Sequence, residues 1–351
     1  MDKQTISKMP DILHQLAPND IDIRRTERYD GGGMGVLLKD FDPEDISLIL
    51  RVYNTIKMIY DISLYASTHQ NQSDYSLFEN IIKRLDTPEF TSSVRKIGTY
   101  TQSNDTASPQ LQQVVHDIRG GSLMSLIGYA GLLLQDPTNA QFLKTAIALA
   151  RDHAKMMRNA IPDLDIPVRN ADESIKIHNI DSFLDKLDGA IIKFAEKQVQ
   201  VSVHTTFDGD ISNRCLETSA IDRIIYNYLN NAARFTSNGQ VKTSVFQINP
   251  KVIRCVTENE VSKDQQMWLE NNITDLKKLF DTGITRDSTG IGLNTCAEFI
   301  KQSFGLINAQ EAVNQAYIGT KLIENRFYAW FHWPIYFQTS DNEQRCDCRN
   351  E

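Results

Sequence analysis

The sequence has no apolar run long enough to cross a bilayer. Its most apolar early stretch, residues 46–66, is interrupted by Arg51, Lys57 and Asp61, and a spanning helix needs roughly 20 apolar residues. The first 15 residues hold no continuous apolar segment of the secretory kind. The expectation is a cytoplasmic protein without direct membrane insertion. Cysteine is scarce: there are five, an odd number, and only Cys346 and Cys348 lie close together. That excludes a disulfide framework and leaves no second pair to complete a zinc site. A basic excess is missing too. With 37 Lys and Arg against 45 Asp and Glu, the net charge is −8, which argues against a nucleic-acid partner. The run Gly31–Gly33 is followed by no Gly-Lys-Ser/Thr, so it reads as a turn and not as a phosphate loop.

What is present suits packed domains. In 351 residues, 41% are hydrophobic, with 15 Phe and 12 Tyr, enough for two or three cores. Residues 1–105 read as a mostly helical input or docking domain. A short helix is expected over 9–16, a strand over 21–25, and a long helix after Asp42-Pro43-Glu44-Asp45 with Leu48, Val52, Ile56, Ile59 and Tyr60 on one face. A further helix is expected over 75–85. The polar stretch 102–109 marks a boundary.

Residues 111–134 organise the chain. Leu111, Val115, Ile118, Met124, Ile127 and Leu134 recur at helical spacing, and His116, Asp117 and Arg119 sit inside that stripe. Residues 135–139 stop the helix and restart a second one, along which Phe142, Ala146, Leu149, His153 and Met156 form another stripe. His153 on that stripe reads as a packed core residue. Two such helices make an antiparallel hairpin. Alone it leaves an apolar face open, and pairing two hairpins into a dimeric four-helix bundle would cover it.

After Ile161-Pro162 and Ile166-Pro167 the pattern becomes that of an α/β sandwich. Helices are expected over 181–197, 221–235 and 291–304. Strands are expected over 199–205, 241–248, 252–257, 306–309 and 328–337. Helix 221–235 carries two faces. Ile221, Ile225, Tyr228 and Ala232 can cover a sheet, while Asn227, Asn231 and Arg234 line up at i, i+4 and i+7. Amide oxygens can ligate Mg²⁺ and a guanidinium can meet phosphates. Gly290 and Gly292, at the start of helix 291–304, permit close backbone approach there.

These stretches, in this order, resemble the bacterial sensor histidine kinases. HDIR at 116–119 resembles the phosphoacceptor box, NYLNNAARF the asparagine box, 278–281 the phenylalanine box, and 288–293 the glycine box. The resemblance implies a multidomain α plus α/β chain: an N-terminal helical region (1–105), a dimerisation and phosphoacceptor hairpin (106–165), an ATP-binding domain (166–336) and a polar tail (337–351). It implies ATP and Mg²⁺ as cofactors. His116 is then the phosphoacceptor, Asp117 its activating acid, and Arg119 the third catalytic residue. Asn231, supported by Asn227, holds the metal, and Arg234 approaches the phosphates. Glu258, Phe280, Gly290, Gly292 and Leu293 complete the nucleotide site, with 282–287 in the lid. The implied partners are a second copy of the chain and a response-regulator receiver domain.

Three boxes depart from the family pattern. Glu258 replaces the adenine-binding Asp, and Glu260 and Ser262 replace the two glycines after it. Gly120 and Gly121 stand where Thr or Asn and then Pro are usual, so the residue that positions water for a phosphatase is missing. The segment 324–327 lacks the usual Gly-x-Gly-Thr. Three functions are consistent with this: an ATP-dependent histidine kinase, a phosphotransfer or scaffold protein with a decayed ATP site, and an ATPase without histidine phosphorylation. The last lacks a water-activating glutamate, since Arg223 stands four residues before Asn227.

Overall fold

The computed structural model describes residues 9–24, 35–68, 82–85, 87–103, 108–120, 122–136, 139–194, 197–215, 217–281, 283 and 292–336. The expected turn at 31–33, most of the expected helix 75–85, Gly290, most of the lid and the pair Cys346/Cys348 lie outside them. No helix among the described residues is long and apolar enough to cross a membrane.

The first described residues form a short helix α1 (Asp11–His14) and an irregular segment through Arg24. Helix α2 (Pro43–Thr68) is the long one expected, with Glu44 and Asp45 in its first turn. Helices α3 (Pro88–Lys96) and α4 (Thr99–Ser103) follow. The Asp45 carboxylate is fully buried and accepts bonds from Gly98 N (2.8 Å), Thr101 N (2.7 Å) and Thr101 Oγ1 (2.6 Å). Gly98 is obligatory: its φ is +81°, and a Cβ there would lie 2.5 Å from a Val115 methyl. That close approach seats the turn against the helix carrying His116.

The stripe over 111–134 is two helices, not one: α5 (Pro109–Arg119) and α6 (Ser122–Gln135). Ser108 caps α5 and Pro109 opens it. Gly120 ends it in an extended conformation (φ −106°, ψ −154°). Gly120 breaks the helix outright, because glycine loses the most entropy in helical geometry. Helix α7 (Ala140–Ala160) returns antiparallel, capped by the Asn139 side chain on Phe142 N at 3.1 Å.

The hairpin's apolar face is covered within one chain. Ile49, Val52, Ile56 and Ile59 of α2 are all fully buried, and α2 lies along α7, whose Ala146, Leu149, Ala150, Ala154 and Met157 are buried. The argument for a dimeric bundle from an uncovered stripe therefore fails on its premise. The N-terminal region is not a self-standing unit either. Helices α2 and α3 pack on the hairpin, whereas residues 9–24 lie against the C-terminal sheet.

Helix α8 (Ile166–Ser174) leads to β1 (Ile177–Asn179), the short helix α9 (Ile180–Leu184), β2 (Ile191–Phe194), β3 (Lys197–Thr205) and β4 (Asp210–Ser212). The helix expected over 181–197 thus ends early. Gly189, at φ +73°, turns the chain into an antiparallel hairpin whose β-branched Ile191 and Ile192 suit a strand. Next come α10 (Ala220–Phe235), β5 (Thr236–Asn249), β6 (Val252–Val261), α11 (Lys263–Asn272), α12 (Gly292–Phe304) and α13 (Ala309–Asn314). The strand expected at 306–309 is absent, because Asn308 caps α13 through Glu311 N. Strands β7 (Ile318–Ile323) and β8 (Arg326–Pro334) close the fold.

The main sheet runs β2-β3-β5-β6-β8-β7, antiparallel except for the parallel pair β3–β5. It is the mixed sheet of an α/β sandwich. Along β6, Ile253 and Cys255 face the core under α10 and α12, where Tyr228 meets Phe331 edge to face. Arg254 and Val256 face the other side, which the N-terminal arm covers with Met9, Leu13 and Leu16. Arg254, fully buried, donates to the carbonyls of Leu13, His14, Ala17 and Pro18 and to His332 Nε2.

Candidate active site

His116 lies near the C-terminal end of α5, half-buried, with Nδ1 3.3 Å from Asp117 Oδ1. In the tautomer with its proton on Nδ1, the ring donates to that carboxylate and Nε2 carries the lone pair. Asp117 is buried. Gln113 Nε2 donates to its Oδ2 at 2.9 Å, and Arg223 of α10 forms an ion pair with the same oxygen. Burial alone would raise this carboxyl; the Arg223 charge, His116 and Gln113 outweigh it and hold it below the usual carboxylate range.

The His116–Asp117 pair opens on a cleft lined by Asp152, Met156, Asp222, Arg223, Tyr226 and Asn227, with a cavity of about 30 Å³. Asn227, the first amide of the expected metal row, therefore borders the same cleft as His116. Its side chain meets the start of α12: Nδ2 is 3.5 Å from Gly292 O, and a Cβ on Gly292 would lie 3.0 Å from Asn227 Oδ1. A side chain at 292 would require the Asn227 amide to shift. Asn231 and Arg234 follow on α10, both half-buried. Leu293 packs against the core, Phe280 is buried at the end of a 3-10 turn, and Asn294 Nδ2 donates to its carbonyl at 3.1 Å.

Two predicted residues lie elsewhere. Arg119 is not among the cleft's lining residues, and the acid that acts on its guanidinium is Asp45 of the N-terminal region. Glu258 is inside β6, in register with Lys242 and Tyr328. By strand alternation it shares the face of Arg254 and Val256, opposite α10, and its carboxylate is 3.5 Å from Arg326 Nη1. Strand β6 runs through Glu260 to Val261, and Ser262 caps α11 directly. With Glu and Ser where glycines would open a loop, the ladder simply continues. Thr257 and Asn259 are the polar side chains on the α10 face.

The fit of magnesium–ATP divides accordingly. Asn227, Asn231, Arg234 and the start of α12 offer the amide oxygens, guanidinium and backbone that metal and phosphates require. Glu258 does not offer the carboxylate that adenine requires, because the sheet stands between it and those groups.

A second buried network joins hairpin and sheet domain beside the cleft. Lys186 pairs with Asp152 of α7 and, at 2.7 Å, with Asp222 of α10. Tyr226 donates to Asp152 Oδ2 at 3.0 Å, and Arg151 Nε to Oδ1 at 3.1 Å. Burial would raise Asp152, but Lys186 and Arg151 hold it down to about 2. Sequence reasoning missed this cluster and the role of Arg223. For Arg223 a signal existed: it extends the row Asn227–Asn231 one turn toward the helix start, on the same face.

No family model matches the chain, and no curated protein matches it. Solved structures do. The mycobacterial sensor histidine kinase MprB matches at 14% identity over 40% of this chain and 84% of that one, with a TM-score of 0.29. Full-length ShkA in complex with AMPPNP matches at 15% over 72% of this chain and 47% of that one, TM-score 0.34. ThkA in complex with the response regulator TrrA matches at 14% over 72% and 68%, TM-score 0.28. All three are histidine kinases. At these scores the likeness is weak, and the reading of the site stands on the side chains above.

Proposed function

We propose that this chain is a protein-histidine kinase of the sensor-kinase type, taking the γ-phosphoryl group of ATP onto His116 Nε2 and passing it to a receiver-domain aspartate. The observation that carries this reading is the single cleft shared by the His116–Asp117 pair and Asn227 of the asparagine helix. That Asn227 and His116 line one cleft supports pairing the phosphoacceptor with the metal-binding end of α10. Magnesium–ATP, when bound, supplies the phosphoryl group. Asn227 and Asn231 would hold the metal and Arg234 the phosphates, while Asp117 keeps the Nδ1 proton so that Nε2 presents its lone pair.

The reading keeps the division at 105/106, 165/166 and 336/337, and a cytoplasmic site of action. It also includes a homodimer, through a narrower surface than the sequence suggested: the α6 row of exposed Met124 with half-buried Ile127 and Leu134. The test is incubation of the full chain with labelled magnesium–ATP. Acid-labile label on His116, lost in His116→Gln, is the expected result.

One observation favours a second reading. Glu258 faces away from α10, as in a phosphotransfer protein whose ATP site has decayed. His116 would then be labelled only from a phosphorylated receiver domain, with no label from ATP.

A further inference from the structure

Arg223 is a buried cation with two acidic partners from different parts of the chain. Its guanidinium is 4.8 Å from the Phe299 ring centroid, and it pairs with Glu217 just before α10 and with Asp117 on α5. A planar fork can hold two carboxylates at once, which an ammonium cannot do with the same geometry. Asp117 in turn is held by Arg223 and Gln113 on Oδ2, leaving Oδ1 toward His116 Nδ1. An unsupported Asp at a helix surface could rotate away from a neighbouring imidazole. This one is fixed from the far side.

We propose that Arg223 is a positioning residue for the phosphoacceptor: through Asp117 it holds the His116 ring with Nδ1 protonated and Nε2 free. Because Arg223 belongs to α10, the ring is held this way only while the sheet domain is docked on α5. The inference rests on His116 being the phosphoacceptor. The electrostatics suit that chemistry. Asp117, Glu217 and Arg223 together carry one net negative charge. A ring that keeps its Nδ1 proton while bonded to phosphorus at Nε2 carries one positive charge. In the transfer the Nε2–P bond forms, the bond from phosphorus to the donor's leaving group breaks, and that group takes the electron pair. The Nδ1 proton stays between ring and Asp117.

The test uses the full chain with ¹⁵N-labelled imidazoles at about pH 8, where ordinary histidines are neutral, and His116→Gln to identify the signal. The wild-type ring should show the Nδ1–H tautomer. Arg223→Gln should show a tautomer mixture and Arg223→Lys an intermediate state, since lysine keeps the charge but not the fork. Phosphoramidate, a donor that bypasses the ATP site, should label His116 roughly tenfold more slowly in Arg223→Gln, the equivalent of about one pKa unit. A wild-type tautomer in Arg223→Gln overturns the proposal, as it does in Arg223→Lys if the glutamine variant fails to fold. A purely structural ion pair would shift the unfolding midpoint and leave the ring unchanged. If the tautomer responds but wild-type His116 takes no phosphate from phosphoramidate or magnesium–ATP, the positioning role stands and the phosphoacceptor reading falls.

Discussion

The two ends of the expected nucleotide site were built from the same kind of sequence signal and folded differently. At the phosphate end, Asn227 and Gly292 come from segments 65 residues apart and touch. At the base end, Glu258 lies on the far side of its own strand. The difference is one of backbone. A helix with two distinct faces has no choice about where Asn227 points once Ile221, Ile225 and Tyr228 are buried. A strand without glycines keeps its period of two, and a carboxylate on an even position goes with Arg254 and Val256 whatever its chemistry. Side-chain resemblance predicts a contact only where the backbone that aims it is also preserved.

The largest expected effect concerns His116. His116→Gln should abolish all acid-labile phosphate on the chain, from magnesium–ATP or from a phosphorylated receiver domain, as read by labelling followed by acid lability. Label surviving elsewhere would detach the cleft from the chemistry.

Next is the buried network that presses the cleft's two sides together. Lys186→Met leaves Asp152 and Asp222 facing each other without their cation, which should cost about 3–5 kcal/mol, measured by urea unfolding. Retained stability would show that Arg151 alone balances the pair.

A smaller effect should appear with pH. Burial lowers His153 and His332 to about 3 and His178 to about 4, from an ordinary 6.5. For His332, the neighbouring Arg254 adds to burial. All three are neutral in the fold, so the unfolded chain binds more protons once the pH drops below 6.5. The stability is fully present above that value and falls as the pH descends toward 4 and 3. Unfolding midpoints that stay level from pH 7 to 5 would contradict these buried neutral rings.

The smallest effect is the sharpest test of the comparison. Glu258→Ala should leave magnesium–ATP affinity unchanged, since the carboxylate lies behind the sheet, whereas Asn259→Ala on the α10 face should lower it. Calorimetric titration of both variants decides. A large loss with Glu258→Ala would mean that β6 rearranges around the base.

Much of this arrangement is legible in the sequence. The helix over 221–235 and its two faces follow from spacing alone, as do the hairpin and the packed position of His153. What was not legible depended on partners distant in sequence. The α2 stripe predicted a helix but not that it would lie on α7 and fill the face reserved for a second hairpin. The strand signal of β6 stopped at Thr257 because Glu258 and Glu260 look like surface residues, and only pairing with β5 and β8 extends the ladder to Val261. Arg223 was read by what it replaces in sequence, a missing glutamate, and its bond to Asp117 spans 106 residues.

The N-terminal arm has a consequence for the order in which the protein is made. Leu13, which sits under the sheet and whose carbonyl accepts from Arg254, precedes it by 241 residues. The strand that pairs with Arg254 through His332 comes later still. Emerging from the ribosome, residues 9–24 have no surface to bind until β6 and β8 have been synthesised, and their apolar side chains wait in water meanwhile. Long-range closure of this kind is slow and comes late in folding. A segment that precedes its partner strand by so many residues is therefore among the last to find its place.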